Sequence, residues 1–267
     1  MDISKLFSVK GKVVLVTGGS RGIGEMIANG FISNGAKVYI ASRSTDVCNQ
    51  VAARLNEQGP GQCISIPADL KNLDGINRLV EELMKQENRL DVLVNNAGVT
   101  NSQDFDTYTE ESWDDLFDIN LKAPYFLTKA LIPLLSAKCT QADPSRVIMI
   151  GSVAAMINTP MPSYVVYNIS KAALHRMTEA LAPLLSYRHI TVNSIAPGYF
   201  RSELTKDLVS EDNDAFLNKL KSAIPAGRFG ESEDIAGTCI YLASRAGAYT
   251  NGATIVVDGC MLYAKKS

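Results

Sequence analysis

Residues 12–24 read KVVLVTGGSRGIG, and this stretch decides the fold. It begins with KVVLVT, a short run rich in β-branched side chains that is typical of a strand. Four glycines follow, and apolar side chains then recur at helical spacing at Ile23, Ile27, Phe31 and Ile32. The sequence therefore predicts a strand, a tight turn and a helix, in that order.

Three of these glycines, Gly18, Gly22 and Gly24, have two possible explanations. Small residues let the backbone approach a pyrophosphate, and the free N–H groups at the start of a helix favour its negative charge. Glycines also occur in ordinary turns between a strand and a helix, where they bind nothing. This segment alone leaves both explanations open, so the rest of the chain must separate them.

Short apolar strands continue to alternate with amphipathic helices along the chain. Continuous apolar runs such as VVLV and VIMI indicate strands buried on both faces, which is typical of a parallel sheet covered by helices. We predict an α/β fold, a doubly wound parallel sheet of about seven strands in a single domain. Further strands are predicted at 37–42, 62–69, 90–98, 146–152, 190–198 and 254–259. Helical apolar faces are predicted at Val47, Val51 and Leu55, at Leu79, Leu83 and Met84, and over about 110–136 and 164–186.

Composition argues against several classes of function. With a net charge of −2 over 267 residues, the chain has no overall positive field, so we expect no nucleic-acid partner. It contains neither a secretory signal nor a long apolar run, so we expect no membrane insertion. Five scattered cysteines are typical of reduced thiols in the cytoplasm. His175 and His189 lack metal-ligand partners, so we expect no metal and structural roles for both.

Tyr167 and Lys171 are four residues apart in a predicted helix, so their side chains share one face. An ammonium near a phenol favours the phenolate, and we predict that Lys171 lowers the pKa of Tyr167 toward the range useful for acid–base catalysis. Such a pair on an arbitrary helix is usually an exposed pair. Ser152 at a predicted strand end favours the catalytic interpretation. Tyr164 has Asn168 rather than a lysine four residues on, which favours Tyr167 as the acid.

If the glycine turn binds a dinucleotide, the end of the second predicted strand indicates which one. An acidic residue at this position binds a ribose 2′-hydroxyl, whereas a basic residue accepts a 2′-phosphate. The chain has Ser42 and Arg43 here, and Arg21 lies in the glycine turn. Two guanidinium groups suit a phosphate dianion, so NADP(H) is preferred to NAD(H), although either arginine could simply be solvated.

Several motifs in order resemble the short-chain dehydrogenase/reductase family over nearly the whole chain. The glycine turn has the spacing GxxxGxG, and NNAG (95–98), GS (151–152) and PG (197–198) each end a predicted strand. Asn120 and the YNISK segment complete the set. VTGGSRGIG, IPADL, GSVA, SKAALH and IAPG are similar to bacterial reductases of 3-oxoacyl thioesters (β-ketoacyl reductases) and related β-keto compounds, including the rhamnolipid-associated type. The resemblance implies a Rossmann-type fold.

The resemblance also implies a role for each site residue. Ser152 would bind the substrate oxygen, Tyr167 would transfer the proton, Lys171 would bind the nicotinamide ribose, and Asn120 would hold a relay water. Asp69 would contact the adenine, and it could also serve as a helix N-cap. The cofactor positions implied are Gly18, Ser20, Arg21, Gly22, Ile23, Gly24, Ser42, Arg43, Asp69, Leu70, Asn96, Ala97, Gly98, Tyr167, Lys171, Pro197, Gly198, Phe200 and Ser202.

The chain departs from the family pattern at a few positions. DGC (258–260) replaces the usual DGG, so Cys260 is expected near the pocket or a subunit contact, and Ser202 replaces a threonine. The segment between Ser152 and Tyr167 is longer than usual, and it either reshapes a pocket wall or makes a surface excursion. Residues at about 199–227 are expected to form a substrate lid.

We therefore expect an NADPH-dependent reductase that converts a ketone to a secondary alcohol, with a β-ketoacyl thioester or related β-keto metabolite ranked first. A dehydrogenase of a polyol, sugar or steroid alcohol is the alternative. A nucleotide-sensing protein without turnover is a remote third, because such relatives usually lose the tyrosine or lysine. Apolar positions on the two long helices, together with the resemblance, predict a homo-oligomer, either a dimer or a tetramer.

Overall fold

A computed structural model describes residues 1–157, 162–200 and 220–264. Seven strands form one parallel sheet in the order β3-β2-β1-β4-β5-β6-β7, which confirms the predicted fold class. The strands are β1 (Val13–Thr17), β2 (Lys37–Ala41), β3 (Gln62–Ser65), β4 (Val92–Asn95), β5 (Ser145–Ile150), β6 (Ile190–Pro197) and β7 (Thr254–Val257). The described helices are α1 (Ile3–Leu6), α2 (Gly22–Ser33), α3 (Thr45–Asn56), α4 (Leu73–Gln86), α5 (Glu110–Phe117), α6 (Ala123–Ser136), α7 (Val165–Ser186) and α8 (Ser232–Ala243).

The sheet separates two apolar cores. Alternate residues of β1 face opposite sides, so Val14 and Val16 pack against α2, α3 and α8, whereas Val13 and Leu15 pack against α4, α6 and α7. Every residue of β1 and β5 is buried, as the continuous apolar runs predict. Because burial of one aliphatic side chain is worth about 1.5–3 kcal/mol, these two layers hold the sheet rigid beneath its loops.

The strand order reverses between β1 and β4. β1 pairs with β2 on one side and with β4 on the other, so the connections that follow β1 and β4 leave in opposite directions. In open α/β sheets this reversal opens a crevice outside the carboxyl ends of the strands. The glycine turn after β1 and the NNAG segment after β4 both lie at this crevice.

The predicted helix over 110–136 is interrupted. α5 and α6 are joined by a π-helical turn, Asp118–Lys122, which adds one residue to the helical turn. Asn120 lies in this turn and is fully buried. The predicted apolar faces also need correction at two positions, because Val47 and Met84 are 44% and 41% exposed. Among the described residues, no helix is both long and apolar enough to span a bilayer.

Candidate active site

A cavity of about 630 Å³ lies at the carboxyl ends of the central strands. It brings together the glycine turn, the end of β2, the NNAG segment, Ser152 and the Tyr167/Lys171 pair. Of the predicted site residues, these line it: Gly18, Ser20, Arg21, Gly22, Ile23, Gly24, Ser42, Arg43, Asp69, Leu70, Asn96, Ala97, Gly98, Ser152, Tyr167, Lys171, Pro197, Gly198 and Phe200. Asn120 lies behind the wall, and Ser202 lies outside the described residues.

The glycine turn is shaped by close backbone contact. Gly18 and Gly22 have φ angles of +64° and +54°, which favour glycine. A Cβ on Gly24 would lie 2.2 Å from the Gly18 carbonyl oxygen and 2.4 Å from the Asn96 amide nitrogen. That amide donates to the carbonyl oxygens of Thr17 (2.9 Å) and Gly18 (3.2 Å). The glycines therefore shape the turn and also leave its backbone open to the cavity.

Helix α2 begins at this turn without a side-chain cap. Arg21 occupies the N-cap position and makes no capping hydrogen bond. The first N–H groups of the helix thus remain available to an anion, and the helix dipole adds a partial positive charge there. This arrangement fits the pyrophosphate of a dinucleotide.

The end of β2 and the glycine turn place two arginine side chains at the cavity. Arg21 and Arg43 are exposed and line the cavity. Apart from the neighbouring Cys48 thiol, the buried Ser42 hydroxyl has no hydrogen-bond partner among the described residues. Two guanidinium groups beside a hydroxyl without a strong partner fit a ribose 2′-phosphate.

Asp69 lines the same part of the cavity but does not cap a helix. Its Oδ1 accepts a hydrogen bond from the Lys71 amide at 3.1 Å. The N-cap of α4 is Asn72, whose side chain accepts from Gly75 N at 2.9 Å. The N-cap interpretation of Asp69 is therefore wrong, because α4 begins later than that interpretation assumed.

Ser152 and Lys171 are each anchored by the backbone near the end of β5. Ser152 follows β5, and its Oγ accepts a hydrogen bond from Ala154 N at 3.1 Å. Lys171 is buried on α7, where its Nζ lies 5.9 Å from the centre of the Tyr167 ring. The same Nζ donates to the Ile150 carbonyl oxygen at 2.9 Å. The serine, the phenol and the ammonium thus share one wall of the cavity.

Burial shifts the pKa values of the two titratable side chains in this wall, Tyr167 and Lys171. It raises the pKa of Tyr167, while a hydrogen bond with Ser152 acts in the opposite direction. Burial also lowers the pKa of Lys171 from 10.5 to about 8. The predicted lowering of the Tyr167 pKa is therefore wrong for this geometry, because desolvation of the phenolate outweighs the other influences.

Asn120 connects the π-helical turn to the loop after β4. Its Oδ1 accepts from Val99 N at 2.9 Å, and its Nδ2 donates to the Val99 carbonyl oxygen at 3.0 Å and to Ser170 Oγ at 3.1 Å. A Cβ on Gly98 would approach Asn120 Oδ1 to 3.3 Å and Lys171 Nζ to 3.4 Å. Asn120 therefore positions the loop that carries Gly98, just behind the cavity wall.

Three features of the site were not predicted from the sequence. The Ile150 carbonyl holds Lys171, His175 contacts Ser152, and Val153, Ile157, Tyr199 and Met261 line the cavity. For His175 a signal was present, since positions 167, 171 and 175 recur on one helix face. Cys260 is exposed in a left-handed conformation (φ 73°), next to Met261 in the cavity wall. The described part of the chain has no cluster of three or more potential metal ligands.

Comparisons with known proteins agree with this geometry. A family model described as enoyl-(acyl carrier protein) reductase matches residues 18–261. A rhamnolipids biosynthesis 3-oxoacyl-(acyl-carrier-protein) reductase of Pseudomonas aeruginosa is 41% identical, with 95% of this chain and 97% of that protein covered. The 5-keto-D-gluconate 5-reductase of Escherichia coli is 32% identical, with 98% and 100% covered.

Solved structures show the same likeness. The RhlG/NADP active-site complex of P. aeruginosa has a TM-score of 0.92 at 40% identity, covering 97% of this chain and 99% of that one. The L-sorbose reductase of Gluconobacter frateurii, complexed with NADPH and L-sorbose, has a TM-score of 0.87 at 28% identity, with 96% and 98% covered. The chain therefore belongs to the short-chain dehydrogenase/reductase family.

Proposed function

We propose that this protein is an NADPH-dependent reductase that converts the ketone of a β-ketoacyl thioester, or of a related β-keto compound, to a secondary alcohol. The observation that carries the proposal is the single cavity shared by the glycine turn, Ser152, Tyr167 and Lys171. Relatives named for the reduction of 3-oxoacyl carrier-protein substrates support the choice of substrate class.

The cavity offers each part of NADP(H) a fitting partner. The glycine turn and the start of α2 would hold the pyrophosphate, and Arg21, Ser42 and Arg43 would hold the 2′-phosphate. Asp69 and Leu70 would contact the adenine, and Lys171 the nicotinamide ribose. When bound, NADPH supplies the hydride that adds to the carbonyl carbon.

The protein's own residues would supply the proton and stabilise the charge that its transfer leaves behind. Because burial raises the pKa of Tyr167, the phenol stays protonated at neutral pH and can donate to the oxygen on which negative charge develops. Ser152 would hold that oxygen with its hydroxyl. Lys171, with a pKa of about 8, is mainly an ammonium at neutral pH and would stabilise the phenolate left behind. Asn120 would hold the loop, and through it a water that returns the proton.

Tyr167→Phe tests the assignment directly. Removal of the proton donor should lower kcat for ketone reduction by about 10²- to 10⁴-fold and leave the Kd for NADPH, measured by fluorescence titration, unchanged. Tyr187→Phe is the matched control, since Tyr187 lies at the end of α7 and is 91% exposed. Wild-type turnover in Tyr167→Phe would refute the proposal.

A substrate panel separates the proposed function from its alternative. Acetoacetyl thioesters represent the first class, and keto-sugar acids and ketoses represent the second, which the E. coli and G. frateurii relatives support. The ratio of kcat/KM values for NADPH consumption decides between the classes. Absence of NADPH consumption with every member would favour the third possibility, a nucleotide-sensing protein.

We further propose that residues 1–267 form one catalytic domain in the cytoplasm, with a substrate lid at about 199–227 that would include Ser202. Most of that lid, residues 201–219, lies outside the described residues. We also propose a homo-oligomer, either a dimer or a tetramer, and the apolar lining of a groove of about 520 Å³ along α5, α6 and α7 supports an interface there. Phe117, Leu121, Tyr125, Phe126 and Met177 line this groove, and sedimentation equilibrium measures the assembly.

A further inference from the structure

Two hydrogen bonds join the end of β5 directly to α7. Lys171 Nζ donates to the Ile150 carbonyl oxygen at 2.9 Å, and Ser152 N donates to His175 Nε2 at 3.4 Å. The two bonds lie on either side of Gly151. The position of Ser152 relative to Tyr167 is thus set across space by α7, and not only along the chain that connects them.

The ring of His175 packs tightly against this backbone. His175 is only 7% exposed, and a Cβ on Gly151 would lie 1.9 Å from its Nε2 and 2.5 Å from its Cδ2. Because a backbone N–H can only donate, Nε2 must carry a lone pair in this contact. The ring is therefore neutral, with its proton on Nδ1.

The surroundings of His175 maintain that neutral form. Burial is the main cause, and the Lys171 ammonium one turn earlier acts in the same direction, whereas Glu179 one turn later opposes it. Together they lower the pKa of His175 from 6.5 to about 4. The lone pair that faces Ser152 is thus present across the neutral pH range.

We propose that His175 is a positioning residue for Ser152, whose neutral imidazole holds the serine backbone while Ala154 N holds the serine oxygen. Held at both points, the Ser152 hydroxyl is directed toward Tyr167 and the substrate oxygen. One face of α7 would then carry the proton donor Tyr167, the ammonium of Lys171, and His175, which holds the Ser152 backbone. This inference rests on the proposed function, but its first test does not require turnover.

The first test is the tautomer of His175. The chain has only two histidines, and His189→Asn leaves one while tolerating the left-handed backbone at that position (φ 54°). Long-range ¹⁵N correlation spectra of the ¹⁵N-labelled variant should show a protonated Nδ1, a bare Nε2 and no titration above about pH 5. A protonated Nε2, or titration near the ordinary histidine pKa, would overturn the proposal.

The second test compares two substitutions at the same position. His175→Phe fills the space without an acceptor, and should lower kcat by about 10- to 100-fold with an unchanged Kd for NADPH. His175→Gln keeps an acceptor and should recover most of kcat. The pKa of Tyr167, taken from tyrosinate absorbance after subtraction of Tyr167→Phe, should rise in His175→Phe and return in His175→Gln. Equal behaviour of the two variants would contradict the proposal.

A double-mutant cycle covers the case in which His175→Phe folds poorly. Gly151→Ala should impair kcat strongly in the wild type, because its methyl group meets the imidazole. In the His175→Ala background the same methyl group has room, so its effect should be several-fold smaller. Strict additivity would overturn the proposed contact. Failure of the wild type to reduce any ketone would instead refute the proposed function, and the tautomer would still decide the role of His175.

Discussion

The two ends of the cavity differ in the chemical groups that line them. The proposed nucleotide end consists of glycines, open backbone N–H groups and the exposed guanidinium groups of Arg21 and Arg43. The proposed catalytic end has titratable side chains whose pKa values are shifted by desolvation, namely the half-buried Tyr167 and the buried Lys171 and His175. The first end therefore works by shape and accessible charge, and the second by the cost of burying charge. Substitutions at the two ends should fail in different ways.

Among the substitutions at the proposed nucleotide end, Gly24→Ala should lower NADPH affinity the most. The added methyl group would collide with the Gly18 carbonyl and the Asn96 amide, so we expect NADPH affinity to fall by at least about 100-fold, or 2.7 kcal/mol, in a fluorescence titration. Gly237→Ala is the control, because an added Cβ there meets nothing within 4 Å on α8. It should stabilise the protein by about 0.5–1 kcal/mol. Wild-type NADPH affinity in Gly24→Ala would contradict this account.

A charge reversal tests the accessible charge at the same end. Arg43→Glu should lower the ratio of kcat/KM for NADPH to that for NADH by about 10- to 100-fold, because it removes one charge-assisted contact and adds repulsion. Arg78→Glu, on the exposed surface of α4, makes the same change in net charge away from the cavity. If both variants changed the ratio equally, the effect would arise from overall charge rather than from a 2′-phosphate site.

At the proposed catalytic end, we expect one substitution to abolish activity and yet to increase the stability of the protein. Lys171 has a pKa of about 8 in the fold against 10.5 in the free residue, so the unfolded chain binds more protons between these values. The free energy of unfolding therefore rises with pH over that window. Lys171→Met should abolish activity and raise the free energy of unfolding at pH 7 by about 1–3 kcal/mol. The difference in free energy of unfolding between Lys171→Met and the wild type should shrink above pH 8.

Urea unfolding as a function of pH measures this difference. Lys129→Met is the control, because Lys129 is exposed on α6 and its replacement should change stability by less than about 0.5 kcal/mol. A destabilised Lys171→Met at pH 7 would show that the bond to the Ile150 carbonyl outweighs the cost of burial.

The same division explains what could be predicted from the sequence. Apolar runs and glycine spacing act locally, so they sufficed for the parallel sheet and for the turn at Gly18–Gly24. The protonation of Tyr167 depends on how much protein surrounds the phenol, and spacing along a helix does not report that. His175 was interpreted as structural because its partner, the Ser152 backbone, is 23 residues away in the chain. Asp69 was interpreted as a possible cap because the start of α4 could not be located to within a few residues.

The wide turn at Asp118–Lys122 also separates two directions of packing. One extra residue rotates everything after it by about 100° relative to an uninterrupted α-helix. Accordingly α6 directs Leu127, Leu131 and Leu135 into the sheet, while α5 before the turn buries only Leu116. Deletion of a single residue in this turn would give a regular helix, yet it would leave either α5 or α6 facing the wrong way. The π-helical turn thus lets α5 and α6 form one continuous helical segment while each buries a different face.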